Sequence, residues 1–270
     1  MQSLFLLYTC LLGLLFGSFL ALVVVRLPKG ESIVSPRSHC RHCGHKLRCF
    51  ENIPLLSALA LRFRCSACKQ RFSTEYFFIE LLTLLCALLF FFKIQPYPRF
   101  LLYFFAFVLP LLALILIDWK HLLLPDKITL PGIILGILVH FMDGRYFLNS
   151  SHSFSALLSE SGLGILAGGG TLLLLALAYR WLRKKEGLGG GDVKMAAMLG
   201  AFLGWKAIFF IFFMASWLGI FVALFWMLFR SKTLATHLPF GSFLGLSSLI
   251  YMLYGQLLVQ KYLEYIHYLI

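Results

Sequence analysis

The stretch Gly187-Leu188-Gly189-Gly190-Gly191-Asp192-Val193-Lys194 joins two strongly apolar segments, 162–182 and 193–204. Four glycines in five positions allow the backbone to bend sharply and to approach other backbone closely. The carboxylate of Asp192 is expected at the border of an apolar segment, where an ionisable group is costly and indicates a functional site. A plainer interpretation is a flexible linker whose aspartate caps the next helix. The rest of the sequence must show whether Asp192 belongs to a functional site or to a linker.

The composition around this stretch is that of a membrane protein. Of the 270 residues, 60% are hydrophobic and 13% are charged, and the mean hydropathy is +0.87. A soluble domain of this length needs more polar surface, and membrane spans must be helices because each helix satisfies its own backbone hydrogen bonds. The sequence therefore predicts an all-α polytopic membrane protein with about eight transmembrane helices. These are expected over 4–25, 76–92, 100–117, 128–142, 162–182, 193–204, 207–229 and 240–259.

The distribution of lysine and arginine predicts the orientation of these helices. Eight spans place 19 of the 24 basic residues on one side, and ten of those 19 lie in the polar segment 26–75. The positive-inside rule puts that side in the cytoplasm and both termini outside. Spans three and four, like spans five and six, then open toward the cytoplasm, so Asp118 and Asp192 can share a face. Because the loops account for the net charge of +13, we expect no nucleic-acid partner.

The polar segment 26–75 contains two CxxC pairs, Cys40-Arg-His-Cys43 and Cys65-Ser-Ala-Cys68, with 21 residues between them. Two such pairs supply four thiolates for a tetrahedral Zn²⁺, and a site closed by four thiolates is structural. The cytoplasm is reducing, which disfavours disulfides there. We therefore predict a small cytoplasmic zinc-ribbon-like insertion after the first helix. The alternative is a set of inert cysteines on a solvated loop.

Three of the few acidic residues lie at predicted membrane borders: Asp118, Asp126 and Asp192. Two carboxyls held within a few ångströms cannot both ionise easily, so they share a proton and can activate water against a peptide carbonyl. Asp118 and Asp192 suit this role because each lies at the membrane end of an apolar segment. Alternatively, the carboxylates form ion pairs that anchor the helix ends. The lysines in question are Lys120, Lys127 and Lys194.

Taken together and in order, the motifs of the chain resemble those of the bacterial type IV prepilin peptidases, membrane aspartic proteases that also act as leader-peptide N-methyltransferases. A GxGD motif alone is weak, whereas an ordered set over more than 200 residues is specific. Besides the CxxC pairs and the glycine stretch, the set comprises Gly17-Ser18-Phe19-Leu20, Arg26-Leu27-Pro28, Ser35-Pro36-Arg37-Ser38, Asn52-Ile53-Pro54, Asp118 with Leu124-Pro125-Asp126, Thr129-Leu130-Pro131 and Pro239-Phe240-Gly241.

The resemblance implies a function and a set of site residues. By motif position the catalytic pair is Asp118 and Asp192. The resemblance further implies cleavage of the basic leader of prepilins or pseudopilins of a type IV pilus or type II secretion system, at the cytoplasmic face of the inner membrane. S-adenosylmethionine is then the donor that methylates the new N-terminus. Supporting residues are expected to be Asp126, Gly189, Gly191 and Lys194.

The same resemblance suggests three domains. They are a first transmembrane helix over 1–25, a cytoplasmic four-cysteine metal-binding domain associated with methyl transfer over 26–75, and a transmembrane aspartic peptidase domain over 76–270. The chain departs from the family pattern at Ala21 and Phe77, where Asn and Pro are usual, and at Ser242, which replaces a frequent Pro.

From the residues alone, two other classes of function stay open. One is an ion or solute transporter with Asp118 and Asp192 in its pathway. This class of function explains the carboxylates but not the CxxC pairs or the glycine stretch. The other is a zinc-ribbon membrane scaffold without catalysis, which should be insensitive to substitution of either aspartate.

Overall fold

A computed structural model describes residues 2–40, 42–147, 154–185, 187–230 and 238–269. The described residues are mostly helical and contain no β-strand beyond two isolated bridges, which confirms the all-α prediction. The α-helices are α1 Gln2–Arg26, α2 Leu56–Ala60, α3 Glu75–Lys93, α4 Tyr97–Tyr103, α5 Leu109–His121, α6 Asp126–Met142, α7 Phe154–Ile165, α8 Thr171–Arg183, α9 Gly190–Arg230 and α10 Phe240–Leu269. Single π-helical turns connect α4 to α5 over Phe104–Val108 and α7 to α8 over Leu166–Gly170.

Six helices within the described residues are long and apolar enough to cross a membrane. They are Gln2–Lys29, Glu75–Lys93, Tyr97–His121, Asp126–Tyr146, Leu157–Arg183 and Gly190–Phe229, and Phe240–Gly255 is a shorter apolar helix. Together these seven segments overlap all eight predicted spans. The count differs because the predicted sixth and seventh spans both lie in α9.

A single glycine separates those two predicted spans inside α9. Gly204 has φ 76° and ψ 171°, which is not helical. Glycine adopts this region readily because it has no Cβ. The break therefore falls at the gap between 193–204 and 207–229 that the hydrophobic pattern indicates.

The chain forms two compact units, Met1–Phe104 and Phe105–Ile270. In the first unit α1 packs against α3, and the close approach depends on small residues. A Cβ on Gly13 would lie 3.1 Å from the Leu84 Cα, and one on Gly17 would lie 3.0 Å from the Glu80 Cα. Glycines four apart let membrane helices approach through their backbones. The boundary predicted at residue 76 separates α1 from α3, whereas both helices lie in this unit.

In the second unit α7 packs against α9 in the same manner. A Cβ on Gly164 would collide with the backbone carbonyl of Gly200, and a Cβ on Gly200 with that of Gly164. The hydroxyl of Ser161 donates to the carbonyl of Ala201 at 3.1 Å across the same contact. Lipid offers little hydrophobic gain for helix association, so close packing and hydrogen bonds of this kind hold such helices together.

Burial in the second unit agrees with helices surrounded by lipid. The centre is formed by fully buried side chains of α5 and α9, among them Leu111, Ile117 and Met198. On α8, in contrast, Leu174 is 68% exposed and Trp181 is 82% exposed. Apolar side chains with this exposure are suited to a hydrocarbon environment.

Candidate functional site

Asp118 lies in the last turn of α5 and is only 5% exposed. The helix ends at His121 because Leu122 adopts the left-handed conformation, with φ 52°, and donates its N–H to the Asp118 carbonyl at 2.8 Å. The carboxylate is bound by one residue from the far end of the sequence. Ser242 donates its backbone N–H to Asp118 Oδ2 at 2.6 Å, and its hydroxyl lies 2.9 Å from the same oxygen.

The start of α10 explains why Ser242 can make these contacts. The helix begins at Phe240, directly after Pro239, so Ser242 is its third residue. The N–H groups of a first helical turn have no partner inside the helix and carry the positive end of its dipole. The Asp118 carboxylate supplies the missing acceptor. The N-terminus of α10 thereby stabilises the carboxylate form of Asp118.

Asp192 is the third residue of α9 and directly follows the last glycine of the glycine stretch. Its backbone N–H donates to the Gly189 carbonyl at 3.1 Å, and a Cβ on Gly189 would lie 3.3 Å from Asp192 Oδ2. An acidic side chain at the third helical position commonly reaches back to the residue that precedes the helix. Asp192 is thus the third residue of the helix and not its N-cap residue, which is the position that the capping interpretation required.

The two aspartates are brought together by a contact through Leu124. A Cβ on Gly191 would lie 2.9 Å from the Leu124 Cβ, and a Cβ on Gly241 would lie 2.8 Å from the Leu124 Cδ1 and 3.1 Å from Asp118 Oδ2. Glycine at both positions lets the starts of α9 and α10 approach the end of α5. The contact places Asp192, the residue after Gly191, near the end of α5 that carries Asp118.

The other predicted supporting residues form an ion pair beside this site. Lys194 Nζ lies 2.7 and 2.8 Å from the two carboxylate oxygens of Asp126, which begins α6. The ion-pair alternative is thus correct for Asp126. The carboxylates of Asp118 and Asp192, by contrast, form no salt bridge with any residue in the described ranges. Asp126 and Lys194 therefore link α6 to α9 at a partly exposed surface.

The four predicted metal ligands also converge, in the first unit. The Sγ atoms of Cys40, Cys43, Cys65 and Cys68 all lie within 4.8 Å of one another. The Cys40–Cys68 pair is separated by 3.8 Å and the Cys43–Cys65 pair by 3.9 Å. Tetrahedral zinc with Zn–S bonds of about 2.3 Å requires sulfur–sulfur distances of roughly 3.8 Å. The donor set and its geometry fit a structural zinc ion.

Both CxxC pairs are held by the same backbone pattern. Cys40 donates its N–H to the His45 carbonyl and accepts from the Gly44 N–H, both at 2.9 Å. Cys65 does the same with Gln70 and Lys69, at 2.9 and 3.0 Å. The fourth residue after the first cysteine is left-handed in each case, with φ 72° at Gly44 and φ 60° at Lys69. Two copies of one turn therefore face each other across the metal position.

The turns also prepare the first cysteine of each pair for metal binding. Backbone N–H groups, that of Cys43 first and then that of His42, lower the pKa of Cys40 to about 7. The corresponding N–H groups of Cys68 and Ala67 lower the pKa of Cys65. A thiol must lose its proton to bind zinc, so these hydrogen bonds favour the ligating form.

Glu51 binds the segment that follows the first CxxC pair. It accepts the Arg48 N–H at 2.8 Å and lies 3.2 Å from His45 Nε2. The backbone hydrogen bond from Arg48, with further contributions from Ser66 and His45, lowers the pKa of Glu51 to about 2. Glu51 therefore stays charged and fixes the loop that carries Cys43.

No residues can be assigned to S-adenosylmethionine. The pocket beside the metal turns is lined by Arg62, Arg64, Lys69 and Arg71, and none of the described residues lining it is acidic. Such a pocket suits a carboxylate but repels a sulfonium cation. We therefore derive no methyl-transfer step from the structure.

Ser242 and Leu124 are the site residues that the sequence did not identify. Ser242 departs from the family pattern, which has a frequent Pro there, and Leu124 belongs to the Leu124-Pro125-Asp126 motif. The available signal for Ser242 was its place directly after Pro239-Phe240-Gly241, since a proline followed by an apolar run indicates a helix start with unpaired N–H groups.

Two family profiles match the chain in succession. The profile described as Bacterial Peptidase A24 N-terminal domain matches residues 11–94, and the profile described as Type IV leader peptidase family matches residues 102–224. The gap between them lies close to the boundary of the two compact units at Phe104.

Curated relatives are similar over most of their length. The prepilin leader peptidase/N-methyltransferase of Pseudomonas putida is 35% identical over 268 residues, which is 90% of this chain and 88% of the relative. The protein of the same name from Pseudomonas aeruginosa is 34% identical, and the match covers 97% of this chain and 94% of the relative. The one from Aeromonas hydrophila is also 34% identical, and the match covers 94% of this chain and 92% of the relative. No solved structure matches the chain. These findings favour the peptidase prediction over the transporter and the scaffold.

Proposed function

The chain belongs to the type IV leader peptidase family, and on this basis we propose that it cleaves the basic leader of prepilins or pseudopilins and methylates the new N-terminus. The catalytic groups in this proposal are Asp118 and Asp192. The observation that carries it is that Asp118 and Asp192 lie at the ends of different helices that meet around Leu124, and that neither carboxyl forms a salt bridge with a residue the structure describes.

The chemistry follows from two acids in one site. One carboxylate accepts a proton from a water molecule as the water oxygen attacks the carbonyl carbon of the scissile peptide. The other carboxyl is protonated and donates a hydrogen bond to the carbonyl oxygen. When the C–N bond breaks, a proton from the pair passes to the leaving amine. The pair therefore ends the reaction with the single shared proton with which it began.

The surroundings of the pair suit an extended backbone as substrate. Gly191 and Gly241 leave no side chain between the helix starts, and Gly190 has open space where a Cβ would lie. A peptide can approach such a surface closely because no Cβ obstructs it. Leucine and aromatic side chains on the neighbouring helix faces are exposed, which suits a substrate that is itself a membrane helix.

The metal and the methyl donor have different parts in the proposal. Cys40, Cys43, Cys65 and Cys68 would hold zinc as a structural ion, because all four positions are protein thiolates and none is open to substrate. S-adenosylmethionine would supply the methyl group for the new amine. We propose the segment 26–75 as the metal-binding domain associated with methyl transfer, after a first helix over 1–25, and 76–270 as the peptidase domain.

We also propose the orientation in the inner membrane. The side that carries 19 of the 24 basic residues would face the cytoplasm. The helix ends at Asp118 and Asp192 border those basic segments, so the active site would be cytoplasmic and both termini would be outside. A prepilin leader, by family resemblance basic and cytoplasmic, would meet the site at the junction with its apolar helix.

The proposal is tested by incubating the purified protein with a prepilin in lipid, with and without S-adenosylmethionine. Mass spectrometry of the product is expected to show a shortened chain with a methylated amine when S-adenosylmethionine is present and with a free amine when it is absent. Asp192→Asn should insert into membranes at the wild-type level and yield no shortened chain. A cleaved product from Asp192→Asn at the wild-type rate would contradict the proposal.

A further inference from the structure

The contact between Ser242 and Asp118 engages one carboxylate oxygen twice. The backbone N–H of Ser242 is 2.6 Å from Oδ2 and its hydroxyl is 2.9 Å from the same atom. A carboxylate oxygen has two lone pairs in the plane of the group. Both lone pairs of Oδ2 are therefore occupied when the serine donates twice, and Oδ1 is the oxygen left for water or for a shared proton.

The Ser242 hydroxyl has a second partner, which suits a carboxyl that changes its charge. It lies 3.0 Å from the Ile115 carbonyl as well as 2.9 Å from Asp118 Oδ2. A hydroxyl has one proton to donate and can also accept. It can donate to Asp118 Oδ2, or to the Ile115 carbonyl while the backbone N–H of Ser242 still binds Oδ2. Oδ2 thus keeps a donor while Oδ1 gains or loses a proton.

The environment of this contact excludes competition from water. Ser242 is 2% exposed and Asp118 is 5% exposed. The backbone of Gly241 also lies close to the carboxylate, since a Cβ there would be 3.1 Å from Asp118 Oδ2. A hydrogen bond in such a dry setting is stronger than in water and fixes orientation more firmly. A proline at position 242 has neither donor, so this arrangement belongs to the serine of this chain.

We propose that Ser242 is a positioning residue that holds Asp118 by Oδ2 and leaves Oδ1 as the reacting oxygen. The inference rests on the proposed function, since it assigns a partner to a proposed catalytic group. Ser242 itself takes no part in bond making or breaking. Its effect is on how often the Asp118 carboxyl points correctly when substrate is bound, so it acts on kcat and leaves KM unchanged.

The experiment compares prepilin cleavage by wild type, Ser242→Ala, Ser242→Thr and Asp118→Asn in the same lipid. Ser242→Ala retains the backbone N–H and loses the hydroxyl, so kcat is expected to fall about tenfold with KM unchanged, the effect of one hydrogen bond to a charged group. Ser242→Thr keeps a hydroxyl and should recover most of that loss. Asp118→Asn should show no cleavage.

Ser248→Ala is the matched control. Ser248 is also a buried serine of α10, and its hydroxyl donates to the Leu244 carbonyl at 2.7 Å and not to Asp118. Its kcat should equal that of wild type. An unchanged kcat in Ser242→Ala, a loss confined to KM, or a Ser242→Thr enzyme as slow as Ser242→Ala would each overturn the inference while Asp118→Asn stays inactive. Wild-type cleavage by Asp118→Asn would instead overturn the proposed function.

Discussion

The metal centre of the first unit and the aspartate pair of the second differ in how far apart along the chain their parts lie. The facing sulfurs of Cys40 and Cys68 are 28 positions apart, whereas Ser242 and Asp118 are 124 positions apart. The metal centre consists of two copies of a short turn, and each turn is held by backbone hydrogen bonds between its own residues. The second exists only when the ends of three helices meet. Local spacing can specify the first kind of site, and only tertiary packing can specify the second.

The largest effect is expected from removing half of the metal ligands. Cys40→Ser with Cys43→Ser leaves two thiolates, and the free energy of zinc binding, about 10–16 kcal/mol in zinc-binding peptides, is then largely lost. The purified variant should carry no stoichiometric zinc, and its segment 26–75 should be cut rapidly by protease. Metal analysis and limited proteolysis measure both effects.

Cys10→Ser is the control for that variant. Cys10 is a free cysteine of α1 outside the four-sulfur cluster. It should keep one zinc per chain and wild-type protease resistance. If the double variant also kept its zinc, the two-turn description of the metal centre would be wrong.

A smaller effect is expected where helices of the second unit make backbone contact. Gly164→Ala places a Cβ against the Gly200 carbonyl and should destabilise this unit by about 3 kcal/mol. Gly162→Ala lies on the same helix with open space around it and should be neutral or stabilising, because alanine favours helix more than glycine does. Thermal unfolding in detergent compares the two. Equal melting temperatures would show that α7 and α9 are not packed as described.

The sequence predicted the features of this protein that depend on residues close together along the chain. Hydrophobic runs gave the membrane segments, including the break that Gly204 makes between two of them. The CxxC spacing predicted four sulfurs that the structure brings within 4.8 Å. The sequence could not predict which ion pair forms, because the Lys194–Asp126 contact depends on how α6 and α9 cross. Nor could it give Ser242 a partner, since the acceptor lies on another helix. The position of Asp118 and Asp192 at the ends of apolar segments made them candidates, and the family resemblance identified them as the pair.

The spacing of the helix ends at the aspartate site is expected to depend on Leu124. Leu124 contacts the positions of Gly191 and Gly241, and Leu124→Ala removes the side chain that separates them. Cleavage is expected to slow about tenfold, since a displacement of about 1 Å in a catalytic group is enough for such a loss. Leu123→Ala, at a neighbouring residue that is 46% exposed, should cleave normally. If the two variants cleave at the same rate, Leu124 does not set the spacing.

The smallest effect is expected from the ion pair beside the site. The side chains of Lys194 and Asp126 are 39% and 55% exposed, and pairs with such exposure contribute about 0.2–1 kcal/mol. Lys194→Gln, Asp126→Asn and the double variant should each change cleavage less than threefold, with coupling that weakens as salt is added. A tenfold loss in Asp126→Asn would instead give Asp126 a direct part in the reaction.

The most direct test of the central claim is a cleavage cycle of Asp118→Asn, Asp192→Asn and the double variant on one prepilin. Groups that act as a unit are not additive, because removal of either already abolishes their joint function. We predict that both single variants fall to the same residual rate and that the double variant is no slower than either. Two partial losses that multiply in the double variant would mean that the aspartates act separately, which contradicts the account.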